Sequence, residues 1–393
     1  MKILHITPAY HPAIQWGGPV VSVRILAKEQ KKLGHSVEVY TTTLGLSSRK
    51  TQSVEVDGLT VHYFDFFTIK RWFVSFPLLR ALWKNRDTFD VFDIHLVWDP
   101  VCWMSGLILA MTGKKIVISP HGTVEKTLID RRSKNLKLFV YYVFLRPMFK
   151  RVAGFRFTAP DERDKFFQFT GLEAVHQAVV INPFKRELFE SPAQSEEFDE
   201  LGLEHRRYFL CLSRVNWKKR LEIFIDAFSL FVKRYPEHKL VIAGATDEEY
   251  GYFLKKRAEE AGIFDHCVFV FRPIPGDSPL KVALFQNAYA FVLPSFSENF
   301  GFVAVEALAS GTPLIVSDGV AIKDLITKYG AGCVFKGSNL DDREAGNNLL
   351  QEMEKVVVPR HREKMIANGK LLVKAEFDNA RIAQQVIDLY QGN

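Results

Sequence analysis

The chain has 393 residues, 47% hydrophobic, 25% charged and 13% aromatic, which is enough apolar material for sizeable cores and excludes a compositionally disordered protein. Four cysteines, Cys102, Cys211, Cys267 and Cys333, are widely spaced with no C-x-x-C pair, which argues against a disulfide framework and a thiolate zinc site and favours a reduced, cytoplasmic setting. The net charge of +7 is uneven: residues 1–190 carry 27 Lys and Arg against 17 Asp and Glu, whereas residues 191–393 carry 25 against 28.

In chain order, the opening MKILHITPAY has too short an apolar run for a signal peptide and reads as a buried strand over Lys2–Ile6. Gly17 and Gly18 then open a helical pattern, and Gly34 closes it before a strand at Ser36–Thr42. Further strands are expected at Thr60–Phe64, Val91–His95, Lys115–Ser119 and Gly154–Thr158. Between Lys114 and Arg156 eleven basic residues and two acidic ones interleave with Phe139, Tyr141, Tyr142, Phe144 and Phe149. Three readings fit this stretch: a solvated basic helix face, a contact with an anionic membrane surface, or a nucleic-acid contact. No nucleic-acid motif accompanies it, so no nucleic-acid partner is expected. No apolar run reaches the ~18 residues of a bilayer span.

Pro183–His205 is acidic, contains Pro192 and Gly202 and lacks hydrophobic periodicity, so it reads as a linker. Beyond it, strands are expected at Tyr208–Ser213, Lys239–Gly244, Cys267–Phe271, Ala290–Pro294 and Pro313–Ser317, with a helix over Leu221–Lys233. Asn379–Tyr390 repeats Ile382, Val386, Ile387 and Leu389 at helical spacing. Alternating strands and helices in both halves predict an α/β protein with two doubly wound parallel-sheet domains, over residues 1–190 and 191–378, followed by a terminal helix over 379–393.

In open parallel sheets ligands bind beyond the carboxyl ends of the strands, and the reactive residues collect there. Gly17 and Gly18 follow the first strand, and His121 and Gly122 follow Lys115–Ser119. Arg214, Lys218, Lys219 and Arg220 follow Tyr208–Ser213, and Ser295 to Gly301 follow Ala290–Pro294. Glu298 and Glu306 are eight residues apart across the start of a helix; two carboxylates so spaced can each accept hydrogen bonds from paired hydroxyls, while Gly301 permits close backbone approach and the helix start favours an anion. The bland reading is an S-x-x-E capping box at Ser295 and Glu298 with Glu306 on the surface. Arg214 and Lys219 suit a diphosphate, with Lys218 and Arg220 as the surface members; the alternative is a solvated cluster. Gly17–Gly18 is equally readable as a tight turn, and His121 as a structural histidine. Neither G-x-G-x-x-G nor a P-loop is present, and no H-E-x-x-H or Cys/His cluster suggests a metal.

The run Glu298-Asn299-Phe300-Gly301-Phe302 through Glu306-Ala307, followed by Gly311-Thr312-Pro313, resembles the E-x7-E signature of retaining GT-B glycosyltransferases of family 4, glycosyl transferases group 1. Gly17-Gly18, Gly34-His35, His121-Gly122 and Arg214 with Lys219 match further landmarks in order. The resemblance implies two Rossmann-like domains facing across a cleft, the first binding acceptor, the second binding the nucleotide-sugar, and a last helix crossing back to the first. It implies that Arg214 and Lys219 hold the diphosphate, Glu298 the donor sugar hydroxyls and Glu306 the ribose, with backbone amides from Asn299, Phe300, Gly301 and Phe302. His121 would reach the donor sugar, and Gly17-Gly18 the phosphates or acceptor. Ser213 and Arg220 stand where the family usually has glycines, and Ile181-Asn182-Pro183-Phe184 replaces its Pro-Asn-Gly.

The expected chemistry is transfer of a sugar from a nucleoside diphosphate donor to a hydroxyl with retention, in envelope polysaccharide or glycolipid assembly, with no metal and no cofactor besides the donor. The hydrophobic, basic first half suggests a saccharide or lipid-linked saccharide acceptor and a peripheral position on the inner membrane face. A sugar-nucleotide 2-epimerase of the same fold and a non-catalytic membrane-surface scaffold are the alternatives.

Overall fold

A computed structural model describes residues 1–69, 72–131, 133–172 and 176–392. They divide into two compact units: Met1–Phe184 with the chain from Asp378 onward, and Lys185–Phe377.

The strands of the first unit are β1 Lys2–Ile6, β2 Ser36–Thr42, β3 Gln52–Val56, β4 Leu59–Phe64, β5 Phe67–Ile69, β6 Trp72–Val74, β7 Val91–His95, β8 Ile116–Ser119, β9 Gly154–Phe157 and β10 Gln177–Val179. Among the described residues they form an eight-stranded sheet, ordered β10-β9-β8-β7-β1-β2-β4-β3, and a separate β5-β6 ribbon. Alternate residues of the central strands feed two cores. Leu4, Ile6, Phe92 and Ile94 face one side, whereas Ile3, Val37, Val39, Val91 and Val117 face the other. Burial on both faces is why these strands are rich in apolar residues at successive positions. The second core is closed by the helix Asn379–Gln391, capped by Asp378, which buries Ile382, Ala383, Val386, Ile387 and Tyr390. Its Asn379 amide exchanges two hydrogen bonds with the Phe184 backbone, at 3.2 and 2.9 Å.

In the second unit β11 Tyr208–Leu212, β12 Lys239–Ala243, β13 Cys267–Val270, β14 Ala290–Leu293, β15 Leu314–Ser317 and β16 Gly332–Phe335 form a parallel sheet ordered β13-β12-β11-β14-β15-β16. Strand order reverses between β11 and β14, the place where an open sheet leaves room for a ligand.

Three sequence expectations need correction. The first sheet is not wholly parallel, because β3 pairs antiparallel with β4 through Asp57 and Gly58. The segment expected to be a linker contains helices at Arg186–Glu190 and Glu196–Asp199, which bury Phe189 and Phe198 within the second unit. The basic stretch is not one solvated face. It folds into helices Lys126–Arg131, Lys134–Val140 and Arg146–Phe149 with a π-helical turn over Tyr141–Leu145. Tyr141, Leu145, Met148 and Phe149 enter the core, while Phe139, Tyr142 and Val143 are 57%, 61% and 46% exposed. Among the described residues no helix is long and apolar enough to cross a membrane.

Candidate functional site

In the second unit the loops after β11, β14 and β15 are knitted together at the carboxyl edge of the sheet. Phe296 N–H donates to Lys218 O at 2.8 Å, Glu298 N–H to Gly319 O at 2.9 Å and Ala321 N–H to Glu298 O at 3.1 Å. Gly319 permits this approach, since a Cβ there would lie 2.3 Å from Phe296 O.

This stitching brings Lys219 and Glu298 into direct contact as an ion pair, with side chains 12% and 20% exposed. Burial, together with the charges of Arg214 and Lys218, pulls the Lys219 ammonium down to about 8, against the opposing influence of Cys211. Arg214 is exposed on the same loop. The capping box is not formed: the helix Phe302–Ala309 starts four residues beyond Glu298, with Gly301 as N-cap at φ +80° and no side-chain cap, and the buried Ser295 hydroxyl has no hydrogen-bond partner among the described residues. Asn299 is half-buried, and Phe300 is buried with its ring against Phe302 and Phe377, at centroid distances of 4.9 and 6.0 Å. Glu306 lies on that helix and pairs with Lys281 at 2.7 Å rather than with Arg214 or Lys219.

Arg220, expected at the surface, is 8% exposed. It occupies left-handed backbone, φ +49°, at the amino end of the helix Leu221–Phe231, a conformation glycine adopts without cost. Its guanidinium offsets the strain by donating to Gly337 O, to Leu340 O at 3.1 Å and to Asp342 at 2.6 Å.

In the first unit Gly17 and Gly18 open the helix Gly18–Lys32 beyond β1 and are half-buried. His121 follows β8 with φ +51° and is 7% exposed. The loop holding it is fixed by the buried Glu162, which accepts from Gly122 N–H at 2.5 Å and from Thr158 N–H at 2.7 Å. His121 is the end of a buried chain that sequence reasoning missed. Its Nε2 meets His95 Nδ1 at 3.1 Å, His95 Nε2 meets His5 Nδ1 at 2.8 Å, and His5 Nε2 meets Gln30 Oε1 at 2.7 Å. Burial lowers the pKa of all three imidazoles and keeps them neutral, with Arg156 lowering each further and Asp93 opposing at His5 and His121. The signal in the sequence was a polar residue inside each buried strand: His5 in KILHI, and Asp93 and His95 in VFDIH. His5, Asp93 and His95 also bring potential metal-ligating atoms within 4.8 Å of one another, and the hydrogen bonds just described engage both imidazoles.

Residues 193–372 match the family described as glycosyl transferases group 1, and residues 16–184 match glycosyltransferase family 4. The chain is 24% identical to alpha-monoglucosyldiacylglycerol synthase of Streptococcus pneumoniae over 100% of its length and 87% of that protein. It is 24% identical to GDP-mannose:cellobiosyl-diphosphopolyprenol alpha-mannosyltransferase of Xanthomonas campestris, covering 90% and 87%. It is 25% identical to phosphatidyl-myo-inositol mannosyltransferase of Mycobacterium tuberculosis, covering 79% and 75%. Similar solved structures include sucrose-phosphate synthase of Thermosynechococcus elongatus, with TM-score 0.73, 17% identity and 99% and 98% of the two chains covered. Anabaena HepE in complex with UDP and glucose gives TM-score 0.72 at 16% identity, with both chains fully covered at 100%.

Proposed function

Since the chain belongs to the group 1, family 4 glycosyltransferases of GT-B fold, we propose that it moves a sugar from a nucleoside diphosphate donor to a hydroxyl of a lipid-linked or polysaccharide acceptor, with retention at the anomeric carbon. The observation that carries this reading is the Lys219–Glu298 pair beside Arg214, where the strand order of the second sheet reverses. As the glycosidic bond to phosphate breaks, positive charge grows on the sugar ring and negative charge on the departing diphosphate. Fixed cations at Arg214 and Lys219 then stabilise the transition state more than the ground state. Glu298, oriented by Lys219, accepts hydrogen bonds from donor sugar hydroxyls, and Glu306 from ribose. Backbone amides of Asn299, Phe300, Gly301 and Phe302 face the donor, and in the first unit His121 is assigned to a sugar hydroxyl and Gly17–Gly18 to phosphates or acceptor. The two cations supply the charge a metal would otherwise bring, so activity is expected to persist in a chelator.

A lipid-bearing acceptor is favoured by the names of the three relatives above, each of which includes a lipid: a diacylglycerol, a polyprenol or a phosphatidylinositol. The exposed Phe139, Tyr142 and Val143, flanked by exposed Lys134, Arg146 and Lys150, suit an anionic membrane surface. The test is a panel of nucleotide-sugars scored by thermal stabilisation of the full chain. Transfer from each stabilising donor to lipid-linked saccharides in vesicles follows, with the product anomer read by NMR. Stabilisation by none of the donors, or turnover of donor without an acceptor, refutes the proposal.

A further inference from the structure

The histidine chain of the first unit has a direction, and the direction can be worked out from its far end. Tyr390 Oη lies 2.5 Å from Asp93 Oδ2, inside the protein. Burial and the Asp93 carboxylate both keep the phenol protonated, so its single hydrogen goes to Asp93. The Tyr390 oxygen is therefore an acceptor toward Gln30, which must present its NH2 group there, at 3.3 Å. That fixes the Gln30 carbonyl toward His5 and makes His5 Nε2 the donor at 2.7 Å. A neutral imidazole carries one hydrogen, so His5 Nδ1 accepts from His95 Nε2–H. By the same step His95 Nδ1 accepts from His121 Nε2–H. Asp93 Oδ2 lies 3.6 Å from His95 Nε2 and 3.7 Å from His5 Nδ1, so the direction is set by Tyr390 and Gln30 and not by this carboxylate. The last nitrogen, His121 Nδ1, is left with a lone pair; no described protein group donates to it, and the side chain is 93% buried, at 7% exposure. A buried acceptor without a donor is uncommon and costly.

We propose that Tyr390, Gln30, His5 and His95 are positioning residues that lock His121 in its Nε2–H tautomer, so that Nδ1 acts only as an acceptor and selects a ligand hydroxyl. The lock depends on four chain segments: the end of β7, the body of β1, the helix Gly18–Lys32 and the last helix. Tyr390 is thus the point at which the carboxyl terminus enters the chemistry of the first unit. The choice of a hydroxyl rather than a carbonyl or phosphate oxygen follows from proton bookkeeping, because a lone pair repels an acceptor and attracts a hydrogen. The identity of that hydroxyl as the donor sugar's rests on the function proposed above.

The experiment uses the full chain labelled with 15N-histidine, with long-range proton–nitrogen correlation spectra and His121 assigned by its loss in His121→Gln. At neutral pH the His121 ring is expected to carry hydrogen on Nε2 alone, and Tyr390→Phe or Gln30→Met to produce a tautomer mixture. An Nδ1–H tautomer, an imidazolium, or a ring unaltered in both variants overturns the proposal. This arm needs no substrate, so its outcome is independent of whether the donor assignment stands. Kinetics supply the second arm. Gln30→Met should lower kcat/KM about tenfold in the native background, as loss of one oriented hydrogen bond would, and less than twofold in His121→Ala. Equal losses in the two backgrounds would mean that Gln30 acts on folding rather than through His121 and overturn its positioning role.

Discussion

Replacing Lys219 by methionine separates what the cation does for the reaction from what it costs the fold. Its ammonium is drawn from 10.5 down to about 8 in the folded protein, so keeping it charged below that pH costs about 3 kcal/mol. Because the folded pKa is the lower one, the cost is complete below pH 8 and fades as pH rises toward 10.5, where both states are neutral. The side chain is only 12% exposed, so solvent screening discounts the figure little. Contact with Glu298 returns part of it, and Lys219→Met forfeits that contact while leaving a carboxylate 20% exposed and unpaired. These terms oppose, so the single variant is expected within about 1 kcal/mol of the parent, and Lys219→Met with Glu298→Gln about 1–3 kcal/mol more stable. In a unit of this size each kcal/mol moves the midpoint about 2–4 °C. Turnover should meanwhile fall about 100-fold or more. Thermal unfolding of the ligand-free protein and initial rates at saturating donor measure the two halves. A double variant that melts several degrees below the parent would make Lys219 a structural residue, and undiminished turnover would remove it from the reaction.

The same ionisation should appear in kinetics: kcat/KM is expected to decline as pH rises through about 8, the free-enzyme value for Lys219. Lys219→Arg, charged throughout, should abolish that decline in whatever activity it retains. Arg220→Ala should cost about 2–3 kcal/mol by removing its hydrogen bonds to two carbonyls and Asp342. Arg220→Gly should cost about 1 kcal/mol less, because glycine relieves the left-handed backbone; chemical denaturation distinguishes the two. Replacing Phe139, Tyr142 and Val143 together by serine should reduce flotation with anionic liposomes while leaving the melting temperature unchanged, since all three are exposed.

What the sequence disclosed and what it hid divide along a physical line. Strands such as Lys2–Ile6, Ser36–Thr42 and Val91–His95 are readable to the residue because burial on both faces demands short runs rich in β-branched and other apolar residues. The hairpin β3–β4 was legible as well, since Asp57–Gly58, at φ +52° and +76°, is a two-residue turn between alternating segments. Against that turn signal, β3 itself is almost wholly exposed and carries little apolar pattern. Arg220 was misplaced for a related reason. Charge predicts exposure, and nothing local announces that Gly337, Leu340 and Asp342, more than a hundred residues away, supply its partners.

The candidate site residues follow the same division. Glu298, Gly301 and Glu306 stand out because a loop and a helix start impose fixed short spacings on them, and spacing is what a sequence displays. The contact of Lys219 with Glu298 joins positions 79 residues apart, and that of Tyr390 with Asp93 positions 297 apart. Both are set by strand order rather than by local pattern, so they emerge only with the topology. A polar side chain in an apolar strand is nevertheless a debt visible in advance: buried, it must find a partner. His5, Asp93 and His95 each incur that debt within five-residue strands, and β1 and β7 are neighbours in the sheet. Once that adjacency is known, their pairing follows, whereas the direction of the hydrogen bonds needs Gln30 and Tyr390 from two distant helices.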